Sequence, residues 1–118
     1  MATVLLSIKP KFVEKIFSGE KRWEFRRKIF HKDCKQVKIY ASAPISKIVG
    51  EFEIDHILSD TPDKVWEVTK DYAGISKEYF DEYFKDRDIA YAIRVKNIEI
   101  YETQQSIEYS PPQNYRYI

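Results

Sequence analysis

The chain has 118 residues, 43% hydrophobic and 15% aromatic, which is enough for one domain over residues 1–118 whose core needs no disulfide or metal. No apolar run approaches the roughly 20 residues of a membrane span, so no membrane partner is expected. The net charge is only +1, yet residues 1–50 carry 12 Lys and Arg against 4 Asp and Glu, and residues 51–118 carry 8 against 15. Such a split points to a basic surface for a polyanion and an acidic surface elsewhere, unless the fold interleaves the two halves.

The opening stretch Met-Ala-Thr-Val-Leu-Leu-Ser shows no basic leader, long apolar segment or cleavage site. No signal peptide is read there, and the cytoplasm is the default location. Thr3 to Ile8 alternates and is rich in aliphatic residues, predicting a first strand. Pro10 suits the first position of a helix, and Phe12, Val13, Ile16 and Phe17 recur at helical spacing, so a helix is expected from about Pro10 to Ser18. Gly19 can end it in the left-handed conformation. The strand expected from Lys21 puts Trp23 and Phe25 on the core face and points Glu24 and Arg26 away from it.

Lys28 to Asp33 reads as an exposed basic loop, and Val37 to Ala41 as a strand broken by Ser42-Ala43-Pro44. A longer strand should run from about Lys47 to Leu58, with a bulge or bend at Gly50. Thr61-Pro62-Asp63 starts a helix whose Val65, Val68 and Tyr72 keep helical spacing until Gly74. Ser76 caps another, Lys77 to about Lys85, with an aromatic stripe of Tyr79, Phe80, Tyr83 and Phe84. Such a stripe is read as core packing in preference to a base-stacking surface. Ile89 to Tyr101 is the last long strand. The tail from Tyr109 is extended by Pro111 and Pro112, and its apolar end, Tyr117-Ile118, should be tied down.

Little of this invites metal or cofactor chemistry. His31, Cys34 and His56 are the only soft ligands, and their spacing matches no zinc motif, so neither metal nor cofactor is expected. Cys34, placed in the lysine-rich loop, lacks a base for nucleophilic catalysis, although nearby lysines would lower its pKa. Three glycines standing far apart exclude a phosphate-cradling loop. Lys9, Lys21, Glu24 and Arg26 remain. In a binding site, Lys9, Lys21 and Arg26 hold phosphates or base edges, while Glu24 orients Arg26 or accepts from a base amino group. In an enzyme, burial and cationic neighbours depress the pKa of Lys21, which becomes nucleophile or general base, with Glu24 shuttling the proton. A solvated ion pair on an outward strand face would contribute little.

The spacing Gly19-x-Lys21-x-x-Glu24-x-Arg26 resembles the signature of the ASCH domain family. Ser7-Ile8-Lys9-Pro10, Ile48-Val49-Gly50-Glu51-Phe52 and Tyr91-Ala92-Ile93 extend the resemblance over nearly the whole chain. It implies an α+β fold, a PUA-like mixed β-barrel with peripheral α-helices. ASCH-like proteins are generally viewed as RNA-binding, and some act as ribonucleases or as amidohydrolases on an acylated cytidine nucleoside. The resemblance therefore implies a module that takes RNA or a nucleotide in a basic cleft of Lys9, Lys21, Glu24 and Arg26. The alternative is a hydrolase using the same cleft, with Lys21 and Glu24 catalytic. A third reading is a regulatory protein-interaction module that uses the acidic helices. The amidohydrolase members match at Gly19, Lys21 and Arg26 but carry threonine in place of Glu24. They also have an acid where this chain reads Tyr72-Ala73-Gly74-Ile75, with Asp71 the nearest carboxylate.

Overall fold

The computed structural model describes residues 2–118. Strand β1 (Ala2–Ile8) passes through an extended Lys9 into helix α1 (Pro10–Ser18), where Pro10 occupies the first turn and so sacrifices no helical hydrogen bond. Gly19 stops the helix at φ 87°, its N–H on the Ile16 carbonyl. Strands β2 (Trp23–Arg26), β3 (Cys34–Ala41) and β4 (Lys47–Asp60) follow. Helix α2 (Pro62–Thr69) then tightens into a 3₁₀ turn over Lys70–Tyr72. Helix α3 (Lys77–Tyr83) is capped by Ser76, whose hydroxyl accepts the Tyr79 N–H. Strands β5 (Ala90–Gln105) and β6 (Arg116–Tyr117) complete the chain.

One sheet holds all six strands in the order β2-β5-β4-β3-β1-β6. β1 and β3 are parallel and the other neighbours antiparallel, so the sheet is mixed and the fold is α+β. The ladder stays open, because β2 and β6 do not pair. Both are short, four and two residues, and Pro111 and Pro112 ahead of β6 offer no N–H. Yet the two ends of the sheet face each other. From β2, Arg26 donates to the Ser7 carbonyl of β1 at 3.3 Å and to the Asn114 carbonyl ahead of β6 at 2.5 Å. A guanidinium spans the gap that a closed barrel would fill with a backbone ladder.

The main core lies between the sheet and α1. Val4, Leu6 and Ile8 of β1 meet Val37 and Ile39 of β3, Phe52 of β4, Ile93 of β5, and Val13 and Ile16 of α1. A second core seats α2 and α3 on β2 and β5 through Trp23, Phe25, Val65, Phe80, Phe84 and Ala92. Phe25 and Phe80 meet edge to face at 5.3 Å. The aromatic stripe of α3 is therefore split: Phe80 and Phe84 are buried, while Tyr79 and Tyr83 stay half-buried on another side.

Two expectations are corrected. Val68 and Tyr72 are 63% and 46% exposed and face away from the core. The inner stripe of α2 instead runs through Val65 and Thr69, whose hydroxyl is satisfied by the Val65 carbonyl at 2.9 Å. Cys34 belongs to β3 and not to a basic loop; it is buried, and that burial pushes its thiol pKa up despite the nearby Lys32. The basic loop keeps Lys28, His31, Lys32 and Asp33 exposed as expected, with its backbone held where the Tyr117 hydroxyl accepts the N–H groups of His31 and Lys32 at 2.8 and 3.0 Å. The tail is tied as expected, with the Ile118 N–H on the Thr3 carbonyl at 2.9 Å. Among the described residues no helix is long and apolar enough to cross a membrane.

Gly50 sits at the register shift in the β4–β5 ladder, where the sequence placed a bulge. A Cβ there would stand 2.5 Å from the Glu99 carbonyl oxygen and 2.8 Å from the Phe17 ring. Because the nearer obstacle is backbone, Gly50→Ala should lower the unfolding free energy by about 1–3 kcal/mol in a denaturant titration. An unchanged midpoint would mean that the β4–β5 ladder moves freely.

Candidate functional site

Lys9, Lys21, Glu24 and Arg26 line one cleft of about 270 Å³. It is lined by the β1–α1 junction, by β2, by the Tyr79 and Tyr83 side of α3 and by the segment holding Gln113 and Asn114. Those last four residues were not among the sequence candidates. For Tyr79 and Tyr83 a signal exists: they are four apart on a helix whose core contacts come from Phe80 and Phe84.

Lys21 is 2% exposed, as buried as the core phenylalanines Phe52 and Phe80. Its ammonium donates to the Ala73 carbonyl at 2.7 Å and lies 4.6 and 5.2 Å from the ring centres of Phe25 and Phe12. Gly74 makes this approach feasible, since a Cβ at its φ of +68° would fall 2.5 Å from Lys21 Cβ. The stretch Tyr72-Ala73-Gly74-Ile75 thus supplies a backbone carbonyl where the amidohydrolase pattern has a carboxylate. Asp71 is exposed and does not line the cleft. Burial pushes the Lys21 pKa down from 10.5 to about 8; Glu24 opposes the shift and Lys15 adds to it.

Glu24 is 5% exposed, with Oε2 3.1 Å from Arg26 Nη1, so the pair is not the solvated surface bridge that alternation alone allows. Both faces of β2 are covered: one by the second core, the other by the cleft walls. Among the described residues Glu24 Oε1 takes no protein hydrogen bond and is not sealed from solvent. The guanidinium of Arg26 is engaged by Glu24, Ser7 and Asn114. Arg27 is engaged as well, with Nε on the Tyr83 carbonyl at 2.7 Å and its guanidinium 4.2 Å from the Tyr83 ring centre. Lys9 only touches the Tyr79 hydroxyl at 3.3 Å, and Lys28 has no hydrogen bond or ion pair among the described residues. The site therefore holds a buried amine beside a carboxylate, with the ammonium groups of Lys28 and of Lys9, the latter weakly held by Tyr79, at the rim.

The sequence profile of a domain of unknown function, DUF365, matches residues 1–118. The chain belongs to the DUF365 family. This DUF365 chain is similar to an ASCH domain-containing ribonuclease of Zymomonas mobilis, 27% identical over 94 residues, covering 79% of this chain and 64% of that protein. It is also similar to the large ribosomal subunit protein uL22 of Ureaplasma parvum, 26% identical over 121 residues. That match takes in 98% of this chain but only 39% of the relative's length. The crystal structure of ASCH from Zymomonas mobilis superposes with a TM-score of 0.90 at 22% identity, covering 98% of this chain and 87% of that one. The DUF365 chain thus has the ASCH fold that its Gly19-to-Arg26 motif resembles.

Lys21 carries a testable pH signature. Below pH 8 both folded and unfolded chains hold its proton, and the burial penalty is fully present. Between pH 8 and 10.5 the folded protein releases a proton that the unfolded chain keeps, so stability rises with pH in that window. Measured against Lys21→Met, which keeps the shape without the charge, the parent should gain about 3 kcal/mol across it. Urea titrations on both proteins read the difference; a constant gap would place the amine in solvent.

Proposed function

We propose that this single domain binds RNA or a nucleotide in the Lys9–Lys21–Glu24–Arg26 cleft. The observation that carries the reading is the buried Lys21 ammonium beside Glu24, at the base of a cleft rimmed by the exposed Lys9 and Lys28. The name of the similar Zymomonas mobilis protein, a ribonuclease, supports an RNA partner, and the ribosomal relative fits the same class. In this reading Lys9 and Lys28 take phosphate oxygens, and Glu24 Oε1 accepts from a base amino or sugar hydroxyl group. Arg26 holds the site together in place of contacting phosphate, because its donors already serve protein carbonyls. The same guanidinium completes the PUA-like barrel at the gap between β2 and β6. With one cysteine and no possible internal disulfide, the domain suits the cytoplasm.

Hydrolysis in the same cleft is the second reading, favoured by the lowered pKa of Lys21. A neutral Lys21 amine would take the proton of the attacking hydroxyl or water, and Glu24 would pass it on.

Titration of fluorescent single-stranded RNA at several salt concentrations tests both readings. Affinity should fall as salt rises, and Lys28→Ala should reduce the salt slope on a single strand by about 0.7. Lys21→Met should cost about 1.5–3 kcal/mol of binding, the range for a charged hydrogen bond, because the ammonium gives one donor to Ala73 and keeps two more for a bound ligand. Lys21→Arg separates the readings, since guanidinium keeps the charge but cannot act as a base. If turnover is present, Lys21→Arg should bind and not react. Thermal melts confirm folding, and Arg22→Ala, outside the cleft, should match the parent. Salt-independent affinity together with parent-like Lys21→Met would overturn the assignment.

A further inference from the structure

The wall of the cleft facing α3 is built from residues that no motif marked. Gln113 and Asn114 stand on the extended segment between Pro112 and β6, and both line the cleft. Their backbone is fixed by contacts that do not involve their side chains. Ser7 Oγ donates to the Pro112 carbonyl at 2.8 Å, and Arg26 Nη2 to the Asn114 carbonyl at 2.5 Å. One residue beyond, Tyr115 packs edge to face on Phe30 at 6.0 Å. The side-chain amides, in contrast, make no hydrogen bond among the described residues, and both residues are exposed. Each amide therefore offers an acceptor and two donors from a backbone that cannot drift. That is the pattern which pairs bidentately with a base edge.

The dimensions restrict what can reach them. At about 270 Å³ the cleft lies just below the roughly 300–1,000 Å³ usual for small-molecule sites. A volume of that order admits one nucleoside-sized unit, whereas a base pair within a stacked duplex cannot enter it. A base must leave its helix, or never have been in one, to present its edge here. Glu24, Lys21, Tyr79 and Tyr83, which line the same cleft, then surround it.

We propose that Gln113 and Asn114 read the base edge of one unpaired nucleotide seated in the cleft, and so set its sequence preference. This rests on the nucleic-acid reading above, and the experiment keeps the two apart. Fluorescence anisotropy would compare single-stranded homopolymers of A, C and U and a duplex of equal length, for the parent and for Gln113→Ala/Asn114→Ala. Alanine keeps the Asn114 carbonyl, so the Arg26 contact survives and the fold is spared. The parent should prefer one homopolymer by about tenfold or more, and any single strand over the duplex. The double variant should bring the homopolymers to within about twofold while leaving the salt slope of the parent unchanged, because no phosphate contact is lost. A preference that survives in the double variant, equal parent affinity for all homopolymers, or duplex binding as tight as single-strand binding would overturn this inference and leave the nucleic-acid reading standing. No binding to any strand would overturn both.

Discussion

A fully buried ammonium in a small domain must find an acceptor or go unpaired at a cost of several kcal/mol. Here Lys21 finds one, the Ala73 carbonyl, and much of the local structure follows from that bond. Ala73 ends the 3₁₀ turn that continues α2, where unpaired carbonyls give a partial negative charge that suits a cation. Gly74 must then take φ +68° and present no Cβ, or the chain could not pass against the lysine stem. Arg22, next to Lys21, donates its N–H to the Tyr72 carbonyl, so the β2 approach and the 3₁₀ turn are joined twice. The rings of Phe12 and Phe25 compensate part of the lost hydration without removing the pKa depression. The apolar pocket that carries this cost is the same one that gives the amine chemical use.

Arg26 plays a different part, although both residues belong to one motif. The sheet leaves its ends unpaired because β2 and β6 are too short for a further ladder. A planar guanidinium with five donors can serve a carboxylate and two carbonyls at once, which an ammonium could not do with fixed directions. One residue thus both links the open ends of the sheet and builds the site. The bond that holds the Asn114 carbonyl against β2 also raises the wall of the cleft, and the bond to Glu24 orients a nearly buried carboxylate.

Where local pattern and global fold agree, the sequence was readable. Pro10 and Gly19 bracket α1 because each acts on its own backbone, and the Trp23/Phe25 alternation survives because strand period two is local. Gly50 announced its bulge for the same reason. What stayed hidden depends on partners distant along the chain. Thr69 enters the core only because Val65 satisfies its hydroxyl on the side that meets β4 and β5. Cys34 is buried because β1 pairs with β3 earlier than hydrophobicity indicates, from Ala2 opposite Cys34. The outward face of β2 becomes a cleft floor only once α3 and the tail fold over it, and no window around Glu24 contains either. Gln113 and Asn114 were invisible for that reason: polar residues after two prolines read as loop until Arg26 fixes them.

The charge split of the sequence needs the same correction. Five cations of the basic half, Lys9, Lys21, Arg26, Arg27 and Lys28, do converge on one cleft. Convergence is not availability. Lys21 is almost wholly buried with one donor on Ala73, Arg26 is spent on Glu24 and two carbonyls, and Arg27 on Tyr83. Only Lys9 and Lys28 can exchange water for phosphate without breaking a strong protein contact. A polyanion held by about two such contacts feels a shallow counterion effect, with slope near −1.4 for a single strand, not the steep one that the charge count of the first half suggests. Affinity beyond that modest term has to come from the base and sugar, from Glu24, the tyrosines and the amides of the opposite wall. A site arranged in this way discriminates by what it encloses more than by what it attracts.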